Sequence, residues 1–232
     1  MQSLIERQKP HVGEMIIYGL LLLLLMTGTY WRNRIWNTEL ELWVDCVKKS
    51  PNKDRPHNNL GNLFVNQGKY QEAINQFNEA LRLNPNYAEA HNNLGIAFSS
   101  QGKSQDAINQ YNEALRINPK YAEAHYNLGI TFSNQGKSQE ATNQYNEALR
   151  INPNYVEAHN NLGNLFVNQG KSQEAIPHLS EALRINPNLA EAHYNLGNAY
   201  LMIGNRGLAL KEYEILKTMN PGLANALYQK IK

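Results

Sequence analysis

Five histidines recur at a fixed interval: His57, His91, His125, His159 and His193, each 34 residues from the next. Histidine is a common metal ligand and general base, so the row invites a metal-centre or catalytic reading. The interval argues against it, because residues 34 apart in a repeating chain fall one structural unit apart, too far to share one ion. Packing inside each unit is the expectation for all five. No glycine-rich phosphate loop, nucleophile elbow, Cys-x-x-Cys pair or His-Glu-x-x-His run occurs. The single cysteine, Cys46, has no partner for an internal disulfide and is expected at a small packing position. The sequence therefore assigns no reaction, no metal and no cofactor.

A second chemistry recurs on the same beat. Asn59, Asn93, Asn127, Asn161 and Asn195 form an invariant row. A carboxamide both donates and accepts, so a ladder of them can pair with the backbone of an extended peptide without reading its side chains. Two neighbouring rows vary more: Arg55, Glu89, Glu123, Glu157 and Glu191 on one side, and Asn58, Asn92, Tyr126, Asn160 and Tyr194 on the other. Lys plus Arg number 22 and Asp plus Glu 20, which excludes the basic field that a nucleic-acid partner requires. The candidate chemistry is protein or peptide binding, with no small-molecule substrate implied.

The elements that must position these rows are set by the same period. Leu-Gly pairs stand at Leu60/Gly61, Leu94/Gly95, Leu128/Gly129, Leu162/Gly163 and Leu196/Gly197, and Asn-Pro pairs at Asn84/Pro85, Asn118/Pro119, Asn152/Pro153, Asn186/Pro187 and Asn220/Pro221. Within one period, Leu94, Gly95, Phe98, Ala107, Tyr111, Ala114 and Pro119 describe two helices packed small against large. Gly102 ends the first helix in the left-handed region, and the proline stops the second. At about 100° per residue, His91, Leu94, Gly95 and Phe98 point to the core. Glu89, Asn92, Asn93, Ile96 and Ser100 point to the other, concave side.

This pattern resembles the tetratricopeptide repeat (TPR) family, which implies an all-α solenoid wound as a right-handed superhelix. Five repeats are expected at 54–87, 88–121, 122–155, 156–189 and 190–223. Residues 37–53 fall in phase as a half-repeat, a second helix continuing from what precedes it, and 224–232 read as a capping helix. The AEAHNNLG phrase is similar to the asparagine ladder of O-linked N-acetylglucosamine transferases, which implies a peptide-holding role for the row. The chaperone-binding TPR type clamps a terminal carboxylate with Lys and Arg. Here that edge carries Glu89, Glu123 and Glu157, so a neutral or basic segment is expected, with Tyr126 and Tyr194 as anchors.

Residues 1–14 form a flank, and from Met15 to Trp31 the chain carries no charge. A helix of about 17 residues reaches ~26 Å, enough to cross a bilayer with help at its ends. Tyr30, Trp31 and Trp36 supply an aromatic belt, and Arg32 and Arg34 snorkel outward. A single-pass helix over 15–36 is expected, in contact with the lipid bilayer. Thr27-Gly28-Thr29 makes a poor cleavage site, which weighs against a signal peptide, and a buried core helix is the other alternative. Arg7 and Lys9 balance Arg32 and Arg34, so charge leaves the orientation open.

The junction RNRIWNTELELWVDCVKKSPNKDRPHNNLG resembles that of TMTC-type mannosyltransferases, multi-pass membrane enzymes with C-terminal TPRs. That resemblance implies an extracytoplasmic solenoid, in the periplasm or a lumen, and it covers only about thirty residues. The sequence thus supports a membrane-anchored scaffold within a membrane complex. An accessory, substrate-presenting subunit of a glycosyltransferase whose active site lies on another chain is the alternative.

Overall fold

The computed structural model describes Tyr18, Leu20, Leu22, Leu23 and residues 38–232. Residues 38–232 form twelve α-helices and no strand. After α1 (Glu39–Lys49), ten helices alternate as pairs: α2 (Asp54–Asn66) with α3 (Tyr70–Leu83), α4 (Ala88–Ser100) with α5 (Ser104–Ile117), α6 (Ala122–Asn134) with α7 (Ser138–Ile151), α8 (Val156–Asn168) with α9 (Ser172–Ile185), and α10 (Ala190–Met202) with α11 (Arg206–Met219). α12 (Pro221–Ile231) closes the array. The first helix of each pair starts where the 34-residue period places it.

Each turn has a local cause. Gly102 has φ +75°, and Lys103 N–H donates to Phe98 O at 2.9 Å, the hydrogen bond of a left-handed glycine helix stop. After the second helix, Asn118 lies extended, as a residue before proline prefers, and its side-chain oxygen accepts from Lys120 N–H at 3.2 Å. The asparagines of the first four Asn-Pro pairs therefore build the turn that the proline enforces.

Within a pair, the glycine of the first helix receives a bulky side chain of the second. A Cβ on Gly95 would stand 2.5 Å from the Tyr111 ring, and one on Gly61 2.5 Å from Phe77. Tyr111 and Phe77 are buried at 2% and 0% exposure, so neither ring has room to withdraw. Tyr111 also clusters with Leu128 of the following pair, which joins these two repeats. The first helices of successive pairs touch one another, α2 on α4, α4 on α6, α6 on α8 and α8 on α10, so they form the inner layer and carry the concave face.

Both ends depart from expectation. α1 does not continue an earlier helix as one rod: Thr38 is extended and forms a capping box with Glu41, each side chain bonding the other's backbone N–H at 3.2 Å. Thr38 is a helix start. The cap begins at Pro221, three residues before 224, because Asn220 both ends α11 and caps α12 by accepting from Leu223 N–H. Leu227 thereby takes the place against Gly197 that a second-helix aromatic would fill, and Tyr213 stacks on Tyr228 at 5.0 Å.

The 15–36 span lies outside the described residues except for four positions. Tyr18, Leu20, Leu22 and Leu23 are helical and 58–64% exposed. Among the described residues no helix is long and apolar enough to cross a membrane.

Candidate functional site: the inner face of the solenoid

Residues four, three and four apart on a helix share one stripe. On α4 that stripe is Glu89, Asn93, Ile96 and Ser100; on α6, Glu123, Asn127, Ile130 and Asn134; on α8, Glu157, Asn161, Asn164 and Asn168; on α10, Glu191, Asn195, Asn198 and Met202. Side by side, these stripes make a groove. It opens into recesses of about 390 Å³ between α2 and α4, lined by Asn62, Val65, Asn66, Asn93 and Ile96, and about 190 Å³ between α6 and α8, around Ile130, Asn134, Asn161, Asn164 and Asn168. A third, of about 520 Å³, lies between α8 and α10, where Lys230 joins Asn164, Asn168, Asn195, Asn198 and Tyr194.

The ladder asparagines, Asn59 included, are half-buried on this face, and the amides of the other four are already engaged. Asn93 Nδ2 donates to Asn58 Oδ1 at 3.0 Å, Asn127 to Asn92 at 3.0 Å, Asn161 to the Tyr126 hydroxyl at 3.1 Å and Asn195 to Asn160 at 3.2 Å. The orientation follows from an acceptor-only end point: Asn58 Nδ2 donates to the Glu89 carboxylate at 2.9 Å, so its oxygen turns toward Asn93. Asn93 must then give its N–H to Asn58. The Asn93 and Asn161 oxygens accept only long contacts, 3.5 and 3.4 Å from the adjacent Asn92 and Asn160.

The expectation for the variable row needs correction. Asn92 does not face the concave side: it is 2% exposed, and Asn58 is fully buried. Asn160 and Tyr126 lie half-buried at the same position. This row faces the next repeat, where it accepts the ladder's hydrogen bonds, because it sits one residue, about 100°, from the groove stripe. The Tyr126 ring packs on Tyr155 at 4.9 Å between centroids, so it is held within the repeat interface. Tyr194 does reach the groove, with Lys230 Nζ 5.1 Å above its ring and bonded to Asn198 at 2.9 Å.

The Glu row stands exposed at the rim, one turn before the ladder. Glu123 and Glu157 line a recess of about 430 Å³ with Tyr121 and Tyr155. Burial first, then the carboxylates of Glu123 and Glu89, push the Tyr121 hydroxyl well above its ordinary value, and burial, Glu123, Tyr126 and Glu157 do the same to Tyr155.

The histidines act as clips. Each Nδ1 meets a side chain 19 residues later on the second helix, Gln76, Gln110, Gln144, His178 and Glu212 in turn, at 2.6–3.2 Å. Each Nε2 bonds the carbonyl of the proline six residues earlier at 3.0–3.4 Å. One ring therefore ties the preceding turn to both helices of its pair. The described residues hold no group of three or more side chains placed for a metal ion. His178 is held below its ordinary value by burial and by His159 beside it.

Sequence reasoning missed Lys230 as a groove residue and missed Tyr121 and Tyr155, whereas Asn164 and Asn168 stand where the concave stripe of Ile96 and Ser100 places them two repeats later. Lys230 is visible only once the cap's early start is known.

With this geometry in hand, comparisons place the chain. A profile of the TPR repeat matches residues 61–102, 97–136, 131–170 and 163–204. The Drosophila melanogaster Protein O-mannosyl-transferase Tmtc3 is 34% identical over 65 residues, 28% of this chain but only 7% of that protein's length. Among solved structures, YrrB, described as a TPR protein with an unusual peptide-binding site, superposes with a TM-score of 0.64 at 23% identity, covering 82% of this chain and 99% of that one. PilF of Pseudomonas aeruginosa gives 0.74 at 19% identity, covering 90% and 95%. MamA gives 0.62 at 25% identity, covering 74% and 95%. The repeat period, the paired helices and the profile matches agree: the chain belongs to the TPR repeat family.

Proposed function

We propose that this chain is a membrane-anchored scaffold that holds an extended segment of a partner protein in its concave groove, as part of a membrane complex. TPR proteins bind protein or peptide partners, and the observation that carries the reading here is the groove itself. Its floor is a ladder of carboxamides, of which Asn93, Asn127, Asn161 and Asn195 are each oriented by one hydrogen bond to the preceding repeat. Such a surface suits the backbone N–H and C=O groups of a strand-like segment and ignores most side chains. A net hydrogen bond of this kind contributes about 0.5–1.5 kcal/mol, so several in register support useful affinity. YrrB, similar in fold, is described as peptide-binding, which supports the class of ligand.

The anchor rests on the charge-free Met15–Trp31 run and on the apolar, exposed, helical Leu20 and Leu22 within it. The extracytoplasmic placement of the repeats rests on the TMTC-like junction alone.

One preparation tests these parts together. Membranes carrying the intact chain are washed with carbonate, solubilised, and the chain is isolated with whatever co-purifies in stoichiometric amount. The chain is expected to stay in the pellet, and Cys46 in sealed vesicles to react with an impermeant maleimide applied from the non-cytoplasmic side. Asn134→Arg with Asn168→Arg, both exposed on the groove stripe, is expected to release the partner at least tenfold more readily with unchanged helicity. Asn146→Arg on the outer layer is expected to keep it. Extraction by carbonate would end the anchor reading, and labelling from the cytoplasmic side only would reverse the orientation. Equal retention by the groove and outer-layer variants would remove the groove.

A further inference from the structure

We propose that the rim recess formed by Tyr121, Glu123, Tyr155 and Glu157 receives a lysine or arginine side chain of the bound segment, so that the partner is basic where it crosses the middle of the solenoid. The inference rests on the groove reading above and names the chemistry of its partner.

The chain treats its two sets of glutamates differently. On the outer layer, Glu79, Glu113, Glu147 and Glu181 each pair with an arginine three residues later at 2.7–2.9 Å. On the rim, neither Glu123 nor Glu157 has a cation within 4.0 Å among the described residues. These two carboxylates belong to successive repeats and open onto one recess of about 430 Å³, large enough for the end of a long side chain.

The rest of the lining points to a cation rather than to water. Tyr121 and Tyr155 bring aromatic rings into the recess, and Val156 and Ala122 add apolar surface for an alkyl stem. A ring face attracts an ammonium or guanidinium, and a carboxylate beside it adds a charge-assisted hydrogen bond. The recess also sits on the ladder's own stripe: Glu123 precedes Asn127, and Glu157 precedes Asn161, by one helical turn. A segment lying on the ladder would therefore pass its side chains beside it.

The test uses the intact chain in detergent at physiological salt and two fluorescein-labelled twelve-residue peptides. One is a repeat of Gly-Lys-Ser, and the other carries Nε-acetyl-lysine at every lysine. The lysine peptide is expected to bind and the acetylated one to bind about tenfold more weakly or worse. Glu123→Gln with Glu157→Gln, isosteric and exposed, should weaken the lysine peptide by a similar factor. Glu147→Gln with Glu181→Gln removes the same net charge from the outer layer and should change it little. Equal binding of both peptides overturns the proposal, and so does equal weakening by the two double variants, which would mean general charge attraction. If Glu123→Gln with Glu157→Gln changes nothing while the Asn134 and Asn168 arginine variants still release the natural partner, the rim receptor falls and the groove stands.

Discussion

Gly129→Leu is expected to lower the stability of the solenoid by about 1–3 kcal/mol, the usual cost of overpacking a filled interface. A Cβ alone at this position would lie 2.7 Å from the Tyr145 ring. Tyr145 is 2% exposed and belongs to the largest hydrophobic cluster, which runs into the next two repeats. The ring cannot step aside without disturbing Leu162 and Ala158. Because a solenoid is held by contacts between neighbours, the loss at one interface should lower the denaturant midpoint of the whole array. Gly129→Ala combined with Tyr145→Ala should couple, costing less than the two single changes added, since the smaller ring position relieves the clash. An unchanged midpoint for Gly129→Leu would mean that the helix register is wrong.

The second large effect has the opposite sign. Pro177 stands inside α9, the sixth residue of a fourteen-residue helix. It has no N–H to offer the carbonyl of Gln173, and its ring crowds that turn. The three preceding repeats carry Asn75, Asn109 and Asn143 at this position, all exposed. Pro177→Asn should therefore stabilise the chain by about 1–3 kcal/mol, most of the penalty for proline in a helix interior. Thermal unfolding followed by circular dichroism measures it. A lower midpoint would mean that α9 depends on the bend that Pro177 imposes.

The repeat units were legible because their punctuation is chemical. Glycine at the first turn and Asn-Pro at the second each admit few conformations, so spacing alone placed helix starts at 54, 88, 122, 156 and 190. The ladder row was legible as a row, since all five positions carry Asn. What its amides do was not. Asn92 and Asn93 are neighbours of the same type, and nothing in hydropathy separates a buried carboxamide from a half-exposed one. The packing of α6 on α4 decides it, by bringing Asn127 to Asn92. The consequence is chemical, because each ladder amide from Asn93 onward has already given one N–H to the preceding repeat. It also means that exchanging Asn93, Asn127 and Asn161 for alanine removes three bonds between repeats as well as three groove contacts, so such a variant does not isolate binding.

The ends were harder for the same reason. Asn220-Pro221 matches the motif that closes every other repeat, yet here it also opens a helix, because Asn220 caps it by accepting from Leu223 N–H and Pro221 sits in its first turn. That shift of three residues moves Leu227 into the core and Lys230 into the groove. At the other end, the phase of Trp43 and Cys46 with the repeats hides the Thr38–Glu41 capping box, which marks a helix start.

The central claim is that the partner lies on the inner face along the asparagine ladder. It is tested most directly by placing a photo-crosslinking p-benzoylphenylalanine at Asn134 on the groove stripe and, separately, at Asn146 on the outer layer of the intact chain, then identifying the crosslinked peptide by mass spectrometry. The account predicts that Asn134 yields one adduct, a basic segment of a single stoichiometric partner, and that Asn146 yields none. An adduct to that partner from Asn146 with none from Asn134 would contradict it.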